Sequence, residues 1–192
     1  MTTPLIFKET SSGPYAMSIR DEMLASREIE CVGEINDESV YSLTRQLRWL
    51  FRQDPEAEIT MYINSPGGEV SSGLALYDVM KAVSCPIRTV CLGTAASMGA
   101  LLFAAGDRRD IFPHGKVMIH DPLIPGGVGG SALQVESISK SLLKTREDLC
   151  AILAQCTGKS LKEIYEKTAT NSWFDAKEAV AFGLADNIID KI

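Results

Sequence analysis

Three short segments carry residues able to do acyl-transfer chemistry. Ser97 lies in Thr94-Ala95-Ala96-Ser97-Met98-Gly99, where small residues let a strand turn tightly into a helix. A hydroxyl there stands at a helix N-terminus, whose free N–H groups and dipole favour developing negative charge. Upstream, Asn64-Ser65-Pro66-Gly67-Gly68 offers a glycine turn. Gly68 can lend an N–H to an oxyanion, and the N–H of Met98, just after the serine, is a second donor. Downstream, Met118-Ile119-His120-Asp121-Pro122 ends an apolar stretch in an imidazole. A nucleophile, oxyanion donors and a base are the minimum set for reaction through a tetrahedral intermediate.

Each segment also has an ordinary reading. Ser97 alone is most simply a helix N-cap. Pro-Gly-Gly after a strand is most simply a turn, and a histidine in an apolar strand is most simply a satisfied core residue. The chain has two histidines. His114 lies in the polar turn Pro113-His114-Gly115-Lys116 and reads as surface, so His120 is the base by elimination.

The elements that must position these groups alternate between short apolar strands and amphipathic helices, the pattern of a layered α/β domain. Strands are expected at Glu30 to Ile35, Glu58 to Ile63 (ending at Pro66-Gly67-Gly68), Ile87 to Leu92 and Lys116 to His120. Asn36 caps a helix with Val40, Leu43, Leu47 and Leu50 on one face. A second helix runs from Glu69 to Ala82, and Ser97 opens the next. A long helix from Ala132 to Gln155 carries too much polar surface to be buried along its length, so it projects; Thr157-Gly158 ends it. Ser160 with Glu163 and Asp175 with Glu178 form capping boxes for two short helices, the second stopping at Gly183. Residues 1–20 are rich in Ser, Thr, Gly and Pro, show no sustained period and read as a mobile arm.

Composition narrows the function classes. The 192 residues suit one domain, 21–192, behind the arm 1–20. A net charge of −6 without basic clusters disfavours a nucleic-acid surface. No run approaches the ~18 apolar residues that span a bilayer, and the first residues are too polar for a signal peptide, so a cytoplasmic protein is expected. The five cysteines, Cys31, Cys85, Cys91, Cys150 and Cys156, lack metal-like spacing; four sit among apolar neighbours and read as buried free thiols. No metal and no cofactor are expected.

From about Ser18 onward the chain resembles the Clp protease proteolytic subunit, ClpP. The resemblance rests on Tyr62-Ile63-Asn64-Ser65-Pro66-Gly67-Gly68, Gly93 to Gly99, Val117 to His120 with Pro122, and Glu178-Ala179-Val180 with Gly183-Leu184. It implies a ClpP/crotonase-like spiral of ββα units, with a head domain and a helical handle over approximately 123–157. It further implies a serine peptidase that stacks two heptameric rings around a chamber. Ser97 is then the nucleophile, His120 the base, and Gly68 with Met98 the oxyanion donors. Unfolded polypeptide lies extended beside Gly68-Glu69-Val70 and the Leu123 to Gly127 segment, Gly126 included, where main-chain pairing tolerates many sequences. Hexameric AAA+ unfoldases such as ClpX, ClpA or ClpC dock on such rings and alone consume ATP. Tyr62, Val90, Leu92 and Ile189 match the apolar docking positions.

The resemblance fails at three places. The third triad position, just before Trp173-Phe174, is Asn171 rather than aspartate. An amide oxygen can hold an imidazole N–H but lacks the charge that stabilises imidazolium; in trypsin-type triads that exchange costs about 10⁴ in kcat. Asp175 and Asp121 are the nearby carboxylates, the first better explained as a helix cap and the second too close in sequence to reach back. Ala169-Thr170 replace an Asp-Arg pair that links ring contact to site order. Thr60, Ala82 and Asp110 fall where docking aromatics are usual. Three functions follow. The first is an attenuated serine endopeptidase; the second is a structural or regulatory member of a ring mixed with a ClpP paralogue. The third is a crotonase-like enzyme on CoA thioesters, for which no CoA signature is visible.

Overall fold

The computed structural model describes residues 4–11 and 13–192. Two strands, β1 (Leu5–Thr10) and β2 (Gly13–Ser18), pair antiparallel in a hairpin. The residues read as a patternless arm thus carry regular structure from Leu5 on. The reason is pairing itself: Leu5 opposite Ser18 through Thr10 opposite Gly13 satisfies the backbone without an apolar alternation for the sequence to display. Helix α1 (Ile19–Ala25) follows, capped by Ser18 in a capping box.

The body is a parallel sheet of β3 (Glu28–Ile35), β4 (Ile59–Gly68), β5 (Ile87–Ala96), β6 (Arg108–Ile111) and β9 (Asn187–Ile188), in that order. Helix α2 (Asp37–Gln53) begins at the Asn36 cap, and Val40, Leu43, Leu47 and Leu50 are all buried, as its stripe predicts. Helix α3 (Val70–Ala82) follows β4 one residue later than expected.

Strand β4 does not break at Pro66. It continues to Gly68, because an extra residue is accommodated as a bulge: Val32 pairs with Asn64, but Glu34 pairs with Gly67. Pro66 falls inside that bulge, where its missing N–H costs no ladder bond.

Strand β5 likewise outruns its expected end at Leu92 and forks the sheet. Its lower half, Arg88 to Cys91, pairs with β6; its upper half, Thr94 to Ala96, pairs with β7 (Lys116–Ile119). Strand β7 in turn pairs antiparallel with β8 (Ser172–Phe174), Ile119 opposite Ser172. This fork brings the ends of β5 and β7 side by side. Helix α4 (Met98–Ala104) leaves β5 directly and every one of its residues is buried, as a helix apolar on all faces must be.

Helix α5 (Ala132–Thr157) has the Ser131 capping box at its start and left-handed Gly158 at its end. Only its second half joins the core, through Leu149, Cys150 and Leu153, whereas Leu133 is 77% exposed. The expected projecting helix is therefore present. Helices α6 (Leu161–Thr168) and α7 (Ala176–Phe182) begin at Ser160 and Asp175 with the two expected capping boxes. Four cysteines are buried, with Cys156 half-buried, and all five are free thiols. Burial pushes Cys31 and Cys91 up to about 11, which keeps both protonated and inert.

Candidate active site

Ser97 occupies the N-cap position of α4, but its hydroxyl does not cap the helix. The residue sits at φ 55°, ψ −122°, a conformation that side chains other than glycine rarely adopt. Its N–H donates to Met118 O at 2.8 Å, tying the junction to β7. So held, Oγ lies 2.8 Å from His120 Nε2. The bland readings of Ser97 as a cap and of His120 as a core residue both give way to that contact.

His120 follows the last residue of β7, where the fork delivers it next to the end of β5. It is half-buried. Burial lowers its proton affinity, with the Asp121 carboxylate acting in the opposite direction. The ring is therefore neutral at neutral pH, with Nε2 able to accept a proton from Oγ. Its other nitrogen has no hydrogen-bond partner among the described residues.

The glycine turn lies against the serine. A Cβ on Gly67 would stand 2.6 Å from Ser97 Cβ, 2.7 Å from Ala96 O and 3.1 Å from Met98 N. Gly67 also has φ 98°, so both space and backbone require glycine. A Cβ on Gly68 would run into the Ile35 carbonyl. Gly67 is buried and Gly68 exposed, so the turn opens toward solvent at Gly68. Met98 N is the first N–H of α4, one of the amides that a helix leaves without an internal acceptor.

Two neighbours that brace this turn had no distinct signal in the sequence. Buried Ser65 donates to Gly33 O at 2.6 Å and accepts from Gly67 N at 3.1 Å. Asn64 Oδ1 accepts from Thr94 N at 3.1 Å, across the bulge between β4 and β5. Both look like ordinary turn residues until the bulges are known.

Asn171 immediately precedes β8, and the register Ile119 opposite Ser172 sets its backbone across from His120. Its side chain is exposed, and no hydrogen bond joins it to His120 among the described residues. Asp175 accepts from Glu178 N at 2.9 Å as the cap of α7. Asp121 is engaged by Arg146 Nε at 2.6 Å. His114 is exposed in its turn. Val70 opens α3 half-buried, while Leu123 and Gly126 are exposed in the irregular chain between β7 and α5.

The four docking positions do not share one exposed face. Tyr62 is 4% and Val90 0% exposed, Ile189 is half-buried, and Leu92 is 40% exposed. Within the subunit Val90 has no accessible surface and Tyr62 very little, so Leu92 and Ile189 are the more open of the four. Asp110 is buried under Arg88, 2.6 Å from its Nε, and accepts from Asn187 Nδ2 at 3.0 Å. It belongs to a polar cluster rather than an apolar pocket. A groove of about 650 Å³ between α1 and α2, lined by Tyr41, Arg45 and Trp49 among others, shares no residue with the Ser97 site.

No group of three or more His, Cys, Asp or Glu close enough to hold a metal occurs among the described residues. No described helix is long and apolar enough to cross a membrane. A strained serine beside an imidazole, with a glycine turn packed against it, is an arrangement able to carry out acyl transfer. The family model for Clp protease matches residues 11–192, and the chain belongs to the Clp protease family. It has the α/β fold of a ClpP-type peptidase.

Proposed function

We propose that the chain is the proteolytic subunit of an ATP-dependent Clp protease, a serine endopeptidase that cleaves unfolded polypeptide. The observation that carries this reading is the 2.8 Å contact between Ser97 Oγ and His120 Nε2 at a strained strand-to-helix junction. Ser97 Oγ attacks the scissile carbonyl as Nε2 takes its proton. The negative oxygen of the tetrahedral intermediate is met by the N–H groups of Gly68 and Met98. His120 then protonates the leaving amine, and water, activated by the same nitrogen, releases the acyl group. Substrate lies extended along Gly68-Glu69-Val70 and the segment containing Leu123 and Gly126, bound chiefly through its main chain.

Asn171 is the third member of the set and its weak point. As an uncharged amide it offers the imidazolium little stabilisation, so the isolated subunit is a slow enzyme. The chain acts in heptameric rings, stacked in pairs, in the cytoplasm. ATP is consumed only by an AAA+ unfoldase that docks on the ring.

A second reading is a mainly structural member of a ring mixed with a more active ClpP paralogue. The exposed Asn171 side chain, unbonded to His120, favours it. Fluorophosphonate labelling separates the two. An adduct on Ser97 in the pure ring supports the peptidase. An adduct absent both alone and with the paralogue leaves only the structural role.

A further inference from the structure

The chain leaves β7 through His120, Asp121 and Pro122, and two contacts fasten that exit. The N–H of Asp121 donates to Thr168 O at the end of α6, at 2.7 Å. Its Oδ2 accepts from Arg146 Nε of α5 at 2.6 Å. The Arg146 guanidinium lies over the Tyr165 ring, 4.3 Å from its centroid, and Nη2 reaches the Tyr165 carbonyl at 3.5 Å. One planar cation from the projecting helix is thus gripped by α6 on one side and by the residue after the histidine on the other.

The second oxygen of Asp121 is different. Oδ1 is closed to solvent and has no hydrogen-bond partner among the described residues. Arg146 offsets the carboxylate's charge from the Oδ2 side only, so the field of the shielded Oδ1 still acts on its surroundings, and the group next in the chain is His120. The direction is consistent: Asp121 raises the proton affinity of His120 against the lowering effect of burial. Arg146 is the charged group paired with Asp121; Cys150 also lies near both, its thiol pushed up by burial and so uncharged. Asn171, Ser172 and Trp173, around β8, and Ser97, before α4, bring no charge.

Accepting Ser97 and His120 as nucleophile and base, we propose that Asp121, gripped by Arg146, is a positioning residue for His120. The ion pair fixes the chain where it leaves the sheet, and the carboxylate gives the imidazolium the negative neighbour that Asn171 does not. Asp121 accepts no hydrogen bond from the ring and touches no substrate. It acts through its charge and through its hold on the backbone.

The test is the rate of fluorophosphonate labelling of Ser97 as a function of pH, in the assembled ring. Asp121→Asn removes the negative charge, so the acid limb moves to lower pH by about 0.5 unit, with a several-fold slower plateau. Arg146→Gln breaks the same ion pair but leaves the carboxylate uncompensated, so the limb moves to higher pH by a similar amount. Asp121→Glu keeps the wild-type limb. Loss of a merely structural pair moves both limbs alike or neither, and either result overturns the proposal. If Asp121→Asn does not assemble, Arg146→Gln against Arg146→Lys decides: an upward shift in the first alone supports the proposal, and no shift in the first overturns it. A wild-type ring without any Ser97 adduct removes the serine reading and this proposal together. An adduct with unopposed shifts removes this proposal alone.

Discussion

At the scale of single residues, few groups touch at the ends of β5 and β7, and the proposed chemistry depends on each of them. In the proposed peptidase the amide at position 171 is the chief chemical defect. Asn171→Asp restores a charge opposite His120, and kcat for a model peptide should rise at least tenfold, toward the ~10⁴ span of the trypsin-type comparison. An unchanged kcat removes this explanation of a slow site. Gly67→Ala tests the turn: its Cβ lies 2.6 Å from Ser97 Cβ and 2.7 Å from Ala96 O, and neither atom can retreat without moving the serine. The substituted protein should lose about 10²-fold or more in kcat, because displaced oxyanion donors and a misaligned nucleophile both raise the barrier. Wild-type kinetics in that variant would contradict the close packing of turn and serine. The pH dependence follows from His120. Its proton affinity is lowered from the ordinary imidazole value of 6.5, so the neutral, proton-accepting ring persists below that value. Activity should therefore decline only as pH falls through a midpoint under 6.5, and a midpoint above it would show that the charge of Asp121 outweighs burial.

At the scale of elements, local chemistry was legible and remote pairing was not. Asn36, Ser160 and Asp175 cap their helices as their spacing predicts, because a cap depends on residues three apart. The stripe of α2 was readable for the same reason. The ends of β4 and β5 were not, since the bulges that carry Pro66 and the Leu92 to Thr94 stretch arise from register against neighbouring strands. Nothing at position 121 announces Arg146, which lies a whole segment and half a helix away. The site divides along the same line. Ser97, His120 and the glycine turn stand out by residue type, whereas the bracing by Ser65 and Asn64 needed the fold. Asp175 supplies the prediction at this scale. As a cap and not a triad member, Asp175→Ala should cost about 1 kcal/mol in denaturant unfolding while Ser97 still labels. Loss of labelling with stability intact would instead place Asp175 in the chemistry.

At the scale of the whole molecule, the projecting half of α5 leaves Leu133, Val135 and Leu143 exposed, with Leu123, Ile124 and Val128 in the chain that leads to it. In the stacked ring of the proposed function this apolar surface would be covered. Arg146 would then link that assembly to the site, since it joins this helix to the residue after the histidine. The Tyr62 and Val90 positions are closed within the subunit, so an unfoldase docking as proposed would meet Leu92 and Ile189, and Leu92→Asp should weaken that docking without changing model-peptide turnover. The proposal that underlies all of this is acyl transfer by Ser97 with His120. The most direct measurement is steady-state model-peptide turnover by the assembled ring, wild type beside Ser97→Ala. A loss of about 10³-fold or more in kcat is the predicted result. Equal turnover by the two rings, or none by a wild-type ring even with Asn171→Asp, would contradict it.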